Sequence, residues 1–145
     1  MLSRRALKSG LDESRAASAW GKRLAQCFSK KFGNDLGAAL QALAIRLVIA
    51  PHDQAGFPLL RLAVWEGDTR TIRLFRKPLV EKIPDWNLAA RRACAHELFH
   101  ALAAENYHSM PLSLSPPVLS RQTEETAAEA FANFAGQHFR LTLEE

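Results

Sequence analysis

His96, Glu97, Leu98, Phe99 and His100 spell H-E-x-x-H, and this pattern limits the fold more than any other part of the sequence. Successive residues on an α-helix are ~100° apart, so His96 and His100 lie ~40° apart on one face, one turn from each other. That spacing lets both imidazoles reach one Zn²⁺. It also sets Glu97 beside them, where a carboxylate serves as general base on a metal-bound water. Ala93, Cys94, Ala95, Leu98, Phe99, Ala101 and Leu102 flank or fill the motif, and none is charged. A helix of this kind tucks into a core; a solvated helix carries charge around it. The competing reading is a pair of surface histidines that share helical spacing by chance. If the motif holds metal, the rest of the sequence must supply a third ligand and a groove.

The protein has 145 residues, which suits one domain (1–145) around a single core. No stretch approaches the ~20 apolar residues of a membrane span. Cys27 and Cys94 are too few for a disulfide framework or a cysteine zinc site, and they fit a reducing compartment. The start, Ser3-Arg4-Arg5-Ala6-Leu7-Lys8, echoes a twin-arginine export signal. Gly10-Leu11-Asp12-Glu13-Ser14-Arg15 then stands where an apolar segment is required, so a cytoplasmic location is expected. Much of the +4 net charge falls in the first third, on Arg4, Arg5, Lys8, Arg15, Lys22, Arg23, Lys30 and Lys31. No nucleic-acid motif or aromatic interleaving accompanies these cations. They read as the solvated face of a helix, and nucleic acid is not an expected partner.

Residues 1–44 form a leading helical region, 45–76 a small sheet and 85–141 the catalytic helices. The spacing of Ala16, Ala17, Trp20, Leu24, Cys27 and Phe28 predicts an amphipathic helix from Ser14 to Phe32. A shorter helix follows over Leu36–Leu43, and Ile45–Ile49 reads as a strand closed by Pro51. Leu59–Trp65 and Thr71–Phe75 alternate as two strands of a hairpin through Glu66-Gly67-Asp68-Thr69, each able to bury one face. Lys77–Pro84 is expected to be a connection. Asp85 opens a helix over Trp86–Glu105 that carries the motif. Asn106–Gln122 contains Pro111, Pro116 and Pro117 and cannot be regular helix. A loop of that length in a compact domain is more often functional than idle. Thr123 is the expected N-cap of a last helix reaching Leu141.

A metzincin would place glycine and histidine three and six residues after His100, where this sequence has Ala103 and Asn106. The remaining choice is a glutamate from the last helix: Glu124, Glu125 or Glu129. Glu125 and Glu129 are four apart and face the same way, on an otherwise small and apolar stretch. An unpaired buried carboxylate is costly, and a metal ion and a metal-bound histidine are suitable partners. Glu125 is assigned as third ligand and Glu129 as the carboxylate that takes the free ring N–H of a ligand histidine. The reverse assignment stays open, and so does a merely solvated acidic face.

The motif, together with Glu125-x-x-Ala128-Glu129-x-Phe131-Ala132, resembles the small gluzincin-type metallopeptidases of the ImmA/IrrE kind. In that family the glutamate helix reads roughly E-x-x-A-[N/D]-x-F-A, so Glu129 departs from the pattern. The similarity covers residues 45 to 140; the first 45 residues carry no family signal. The resemblance implies an α+β minigluzincin: a short twisted sheet, a motif helix and a C-terminal glutamate helix. It implies Zn²⁺ on His96, His100 and Glu125, with water in the fourth position, and hydrolysis of a peptide bond. A protein or peptide substrate would then lie extended along the hairpin edge at residues 59–76. The alternative is a zinc-bound regulator of the same fold that acts by binding a protein partner with little or no proteolysis. A helical binding protein without metal is the third reading.

Tyr107, the only tyrosine, is a candidate donor to a developing oxyanion, against a packing role at the helix end. His108 is a candidate for the metal or for a tetrahedral intermediate. His138 is 13 residues beyond Glu125 on the same helix, ~20 Å along it, and cannot share the site. His52 falls in a loop. Cys94 points ~200° away from His96 and is excluded as a ligand.

Overall fold

The computed structural model describes residues 4–53, 61–110, 112 and 115–143, with side chains from residue 12 onward. Among them the protein is α+β, with five helices and a three-stranded mixed sheet. The order is α1 (Arg4–Phe32), α2 (Leu36–Ala42), β1 (Arg46–Ala50), β2 (Ala63–Glu66), β3 (Thr71–Phe75), α3 (Arg76–Lys82), α4 (Trp86–Ala104) and α5 (Arg121–His138). No described helix is long and apolar enough to cross a membrane.

Local chemistry sets the helix ends. α1 stops at Gly33, whose φ of 69° is the left-handed conformation that ends helices. Asp35 caps α2 by accepting from the Ala38 N–H, and Asp85 caps α4 by accepting from the Leu88 N–H. α5 begins three residues earlier than expected because Ser120, not Thr123, is its cap; the Ser120 hydroxyl accepts from the Thr123 N–H. It also ends earlier, at His138, and the backbone then runs extended so that Arg140 bridges to Asp35. α3 replaces the connection expected over Lys77–Pro84. Pro78 lies in its first turn, where a backbone N–H has no partner to lose.

The strands stack in the order β1-β3-β2, with β1 parallel and β2 antiparallel to β3. The expected hairpin is therefore present over 63–66 and 71–75; Leu59 and Leu60 lie outside the described residues. β3 departs from one-sided burial, since Thr71, Ile72, Leu74 and Phe75 are all buried. It is the middle strand, and both its faces are covered. β2 is an edge. The Phe75 N–H donates to the Leu62 carbonyl, which puts Leu62, Val64 and Glu66 in hydrogen-bonded register with β3. Alternation then turns the N–H and C=O groups of Ala63 and Trp65 towards the free edge.

α4 buries Ala89, Ala90, Cys94, Ala95, Leu98, Phe99, Ala101 and Leu102 and keeps its charged side chains and histidines partly exposed. It packs on α5, α3 and the sheet. Leu98 and Phe99, the two middle residues of the motif, are fully buried. Phe99 meets Phe131 of α5 at 5.9 Å, and Phe28 of α1 meets Phe131 at 5.7 Å. Burying each such ring contributes roughly 1.5–3 kcal/mol. One aromatic column thus fixes α1, α5 and α4 to each other, and its register decides which α4 side chains face outward.

Candidate metal centre

Because Leu98 and Phe99 point into the core, His96, Glu97 and His100 are left on the opposite side of α4, partly exposed and next to the first two turns of α5. The ligand atoms of His96, His100 and Glu125 all lie within 4.8 Å of one another. His96 Nε2 is 3.0 Å from Glu125 Oε2, and His100 Nε2 is 2.8 Å from Glu125 Oε1. The two Nε2 atoms face each other at 3.3 Å.

The outer nitrogens are held as well. His96 Nδ1 meets Glu129 Oε1 at 2.8 Å, and His100 Nδ1 meets Glu124 Oε2 at 2.6 Å. A neutral imidazole has one N–H and one lone pair. If each Nδ1–H donates outward to its own glutamate, both Nε2 lone pairs are left facing each other and the Glu125 carboxylate. Lone pairs from three side chains then converge, a donor set that could hold a metal ion. The same outer carboxylates fix the tautomer that a metal requires, as they do around metal-bound histidines generally.

The structure therefore brings His96, His100, Glu125 and Glu129 together as the sequence led one to expect, with Glu129 on the ring of His96. It adds Glu124 on the ring of His100. Glu124 was legible only as one of three possible ligands. The signal that could have assigned it is arithmetic: two histidines have two outer ring nitrogens, and Glu129 serves only one.

Glu97 sits between the centre and β2. Burial raises the pKa of its carboxyl above the ordinary glutamate value, and Glu125 adds to this. His96 and His100 pull it down, as does the backbone of Trp65, whose free-edge N–H donates to the carboxylate. The edge strand thus holds the carboxyl group beside the histidines.

A cavity of about 360 Å³ opens from His96, Glu97 and Glu129 and runs back along α4. Its walls are Leu62 and Ala63 before and in β2, Leu79 and Ile83 around α3, and Ala89, Ala93 and Ala132. Arg61, Lys82 and Arg92 also line it. Nothing in the sequence singled out Arg61 or Lys82; Arg92, four residues before His96, was discoverable from helical spacing.

Tyr107 is not among the residues that line this cavity. It is buried, its hydroxyl accepts from the Trp20 indole N–H at 3.3 Å, and its ring packs edge-on against Trp20 and near Phe99. Its placement is that of the helix-end packing residue, the reading weighed against an oxyanion donor. His108 is exposed and, like Tyr107, does not line this cavity. His138 is exposed and lies against Phe134. Cys94 is fully buried on the far side of α4, its thiol pushed up to about 12 by burial.

No protein-family model, curated protein or solved structure matches this sequence.

Proposed function

We propose that this protein is a zinc-dependent peptide hydrolase of the minigluzincin type, similar to the ImmA/IrrE family, with His96, His100 and Glu125 as zinc ligands. The observation that carries the reading is the pair of Nε2 atoms 3.3 Å apart over one carboxylate, each ring anchored behind by its own glutamate. Two imidazole nitrogens and a carboxylate within 4.8 Å of one another are the donor set that would hold Zn²⁺. When bound, Zn²⁺ supplies a Lewis acid that stabilises charge on a carbonyl oxygen and makes water acidic near neutral pH.

The protein's own groups do the rest. Glu97, held by the Trp65 N–H, takes a proton from the attacking water and passes it to the leaving amine. The free-edge N–H and C=O of Ala63 are placed to pair with an extended substrate, as edge strands do in strand-addition complexes. The adjoining cavity receives a substrate side chain.

The test compares wild type with Glu97→Gln, both zinc-loaded, on a pool of unstructured peptides read by mass spectrometry. Wild type is expected to cleave, and the variant to bind zinc equally while losing at least ~100-fold in rate. Equal cleavage by the two proteins would sink the mechanism.

A further inference from the structure

The cavity beside the centre carries more information than its position. Its apolar walls are interrupted by three cations, Arg61, Lys82 and Arg92. The carboxylates among its described lining residues, Glu97 and Glu129, are already engaged at the centre. Arg61 pairs with Asp53 at 2.5 Å. Arg92 and Lys82 have no carboxylate partner among the described residues.

Arg92 is nonetheless held in place. Its guanidinium donates to Asn133 Oδ1 at 2.6 Å. Its stem lies against Gly136, one turn further along α5, where a Cβ would come within 2.9 Å of Arg92 Cγ. The absence of a side chain at 136 is what lets the arginine lie there. A guanidinium fixed by a neutral amide, on the wall of an apolar cavity, keeps its remaining donors for an anion.

We infer that this cavity selects a short substrate segment combining an apolar side chain with a carboxylate, the carboxylate paired by Arg92 and Lys82. The inference deepens the hydrolase reading and rests on it for the word substrate. Length fits. Ala89, the far wall on α4, precedes His96 by seven residues, ~10 Å along the helix. Three extended residues span at most ~10 Å. Arg92 is one turn, ~5–6 Å, from His96, so the carboxylate belongs one or two residues from the reacting bond. Both the free C-terminus of a peptide and an acidic side chain supply that chemistry.

The test measures calorimetric binding of three ligands to the full-length, zinc-loaded Glu97→Gln protein. They are acetyl-Leu-Leu with a free carboxylate, its C-terminal amide, and acetyl-Leu-Asp amide. At least one carboxylate ligand should bind about tenfold more tightly than the neutral amide. Which of the two does so tells terminus from side chain. Adding Arg92→Gln or Lys82→Gln should reduce that preference towards the level of the amide. Lys82 is exposed at the end of α3, so its replacement keeps the fold even if that of Arg92 does not. Equal binding of all three ligands, no binding of any, or a preference that survives both replacements would overturn the inference. If peptides are cleaved by wild type despite that result, the hydrolase reading stands without this specificity. If the preference appears and no peptide is cleaved, the cavity assignment stands and the hydrolase reading fails.

Discussion

Gly21 on α1 and Ala127 on α5 leave no space between them for a methyl group: a Cβ at position 21 would lie 2.0 Å from the Ala127 carbonyl oxygen. Ala127 stands between Glu125 and Glu129, so the leading helix, which carries no recognisable motif, braces the turn that presents both carboxylates. Gly21→Ala should therefore destabilise the protein by about 1–3 kcal/mol, although alanine is the better helix former. Thermal melting would show a Tm lower by roughly 4–10 °C. Gly37→Ala is the control, because a Cβ there meets only Asp35 Oδ1, at 3.4 Å. It should leave Tm unchanged or slightly raised.

The outer carboxylates should be separable from the inner one by metal affinity. Glu124→Ala and Glu129→Ala each release one histidine ring from its anchor and should weaken zinc binding about 10–100-fold. Glu125→Ala removes a ligand and should weaken it more than either. Competition against a chromophoric chelator gives the order. A larger loss for Glu129→Ala than for Glu125→Ala would reverse their roles.

Cys94 and Cys27 should part company chemically. Cys94 is fully buried with its thiol pushed up to about 12, mainly by desolvation and secondarily by Glu97. Cys27 is half-buried on α1. Only the thiolate reacts, so alkylation of the native protein near pH 8 should label Cys27 and leave Cys94 intact until the protein unfolds. The sign of the accompanying pH effect follows from linkage. The folded state keeps the Cys94 proton where the unfolded state has lost it. This contribution to stability is therefore complete below about pH 9, the ordinary thiol value, and is lost as pH rises towards 12. Mass mapping of alkylated peptides across the unfolding transition checks the first point, and melts between pH 8 and 11 check the second.

What the sequence made legible was whatever depends on spacing within one helix. His96 and His100 share a face of α4, and Glu125 and Glu129 share a face of α5, because 3.6 residues per turn leaves no choice. The pairing of Glu124 with His100 depends instead on how α5 crosses α4, which Phe99, Phe28 and Phe131 decide from three separate elements. The helix α3 was read as a connection, and Pro78 fits inside it only because it stands in the first turn. Two-sided burial of β3 was hidden because Thr71–Phe75 alternates like any half-buried strand, and only the folded structure shows what packs against the sheet around it. The cavity was least legible of all: Arg61, Lys82 and Arg92 come from three parts of the sequence and meet only in the folded structure.

Everything proposed for the centre depends on one ion held by two imidazoles and a carboxylate. An anomalous difference map from a crystal of zinc-loaded protein, collected at the zinc edge, tests this directly. The predicted result is a single strong peak about 2.0–2.2 Å from His96 Nε2, His100 Nε2 and a carboxylate oxygen of Glu125. No peak between these three side chains, with the two rings hydrogen-bonded to Glu124, Glu125 and Glu129 alone, would contradict it.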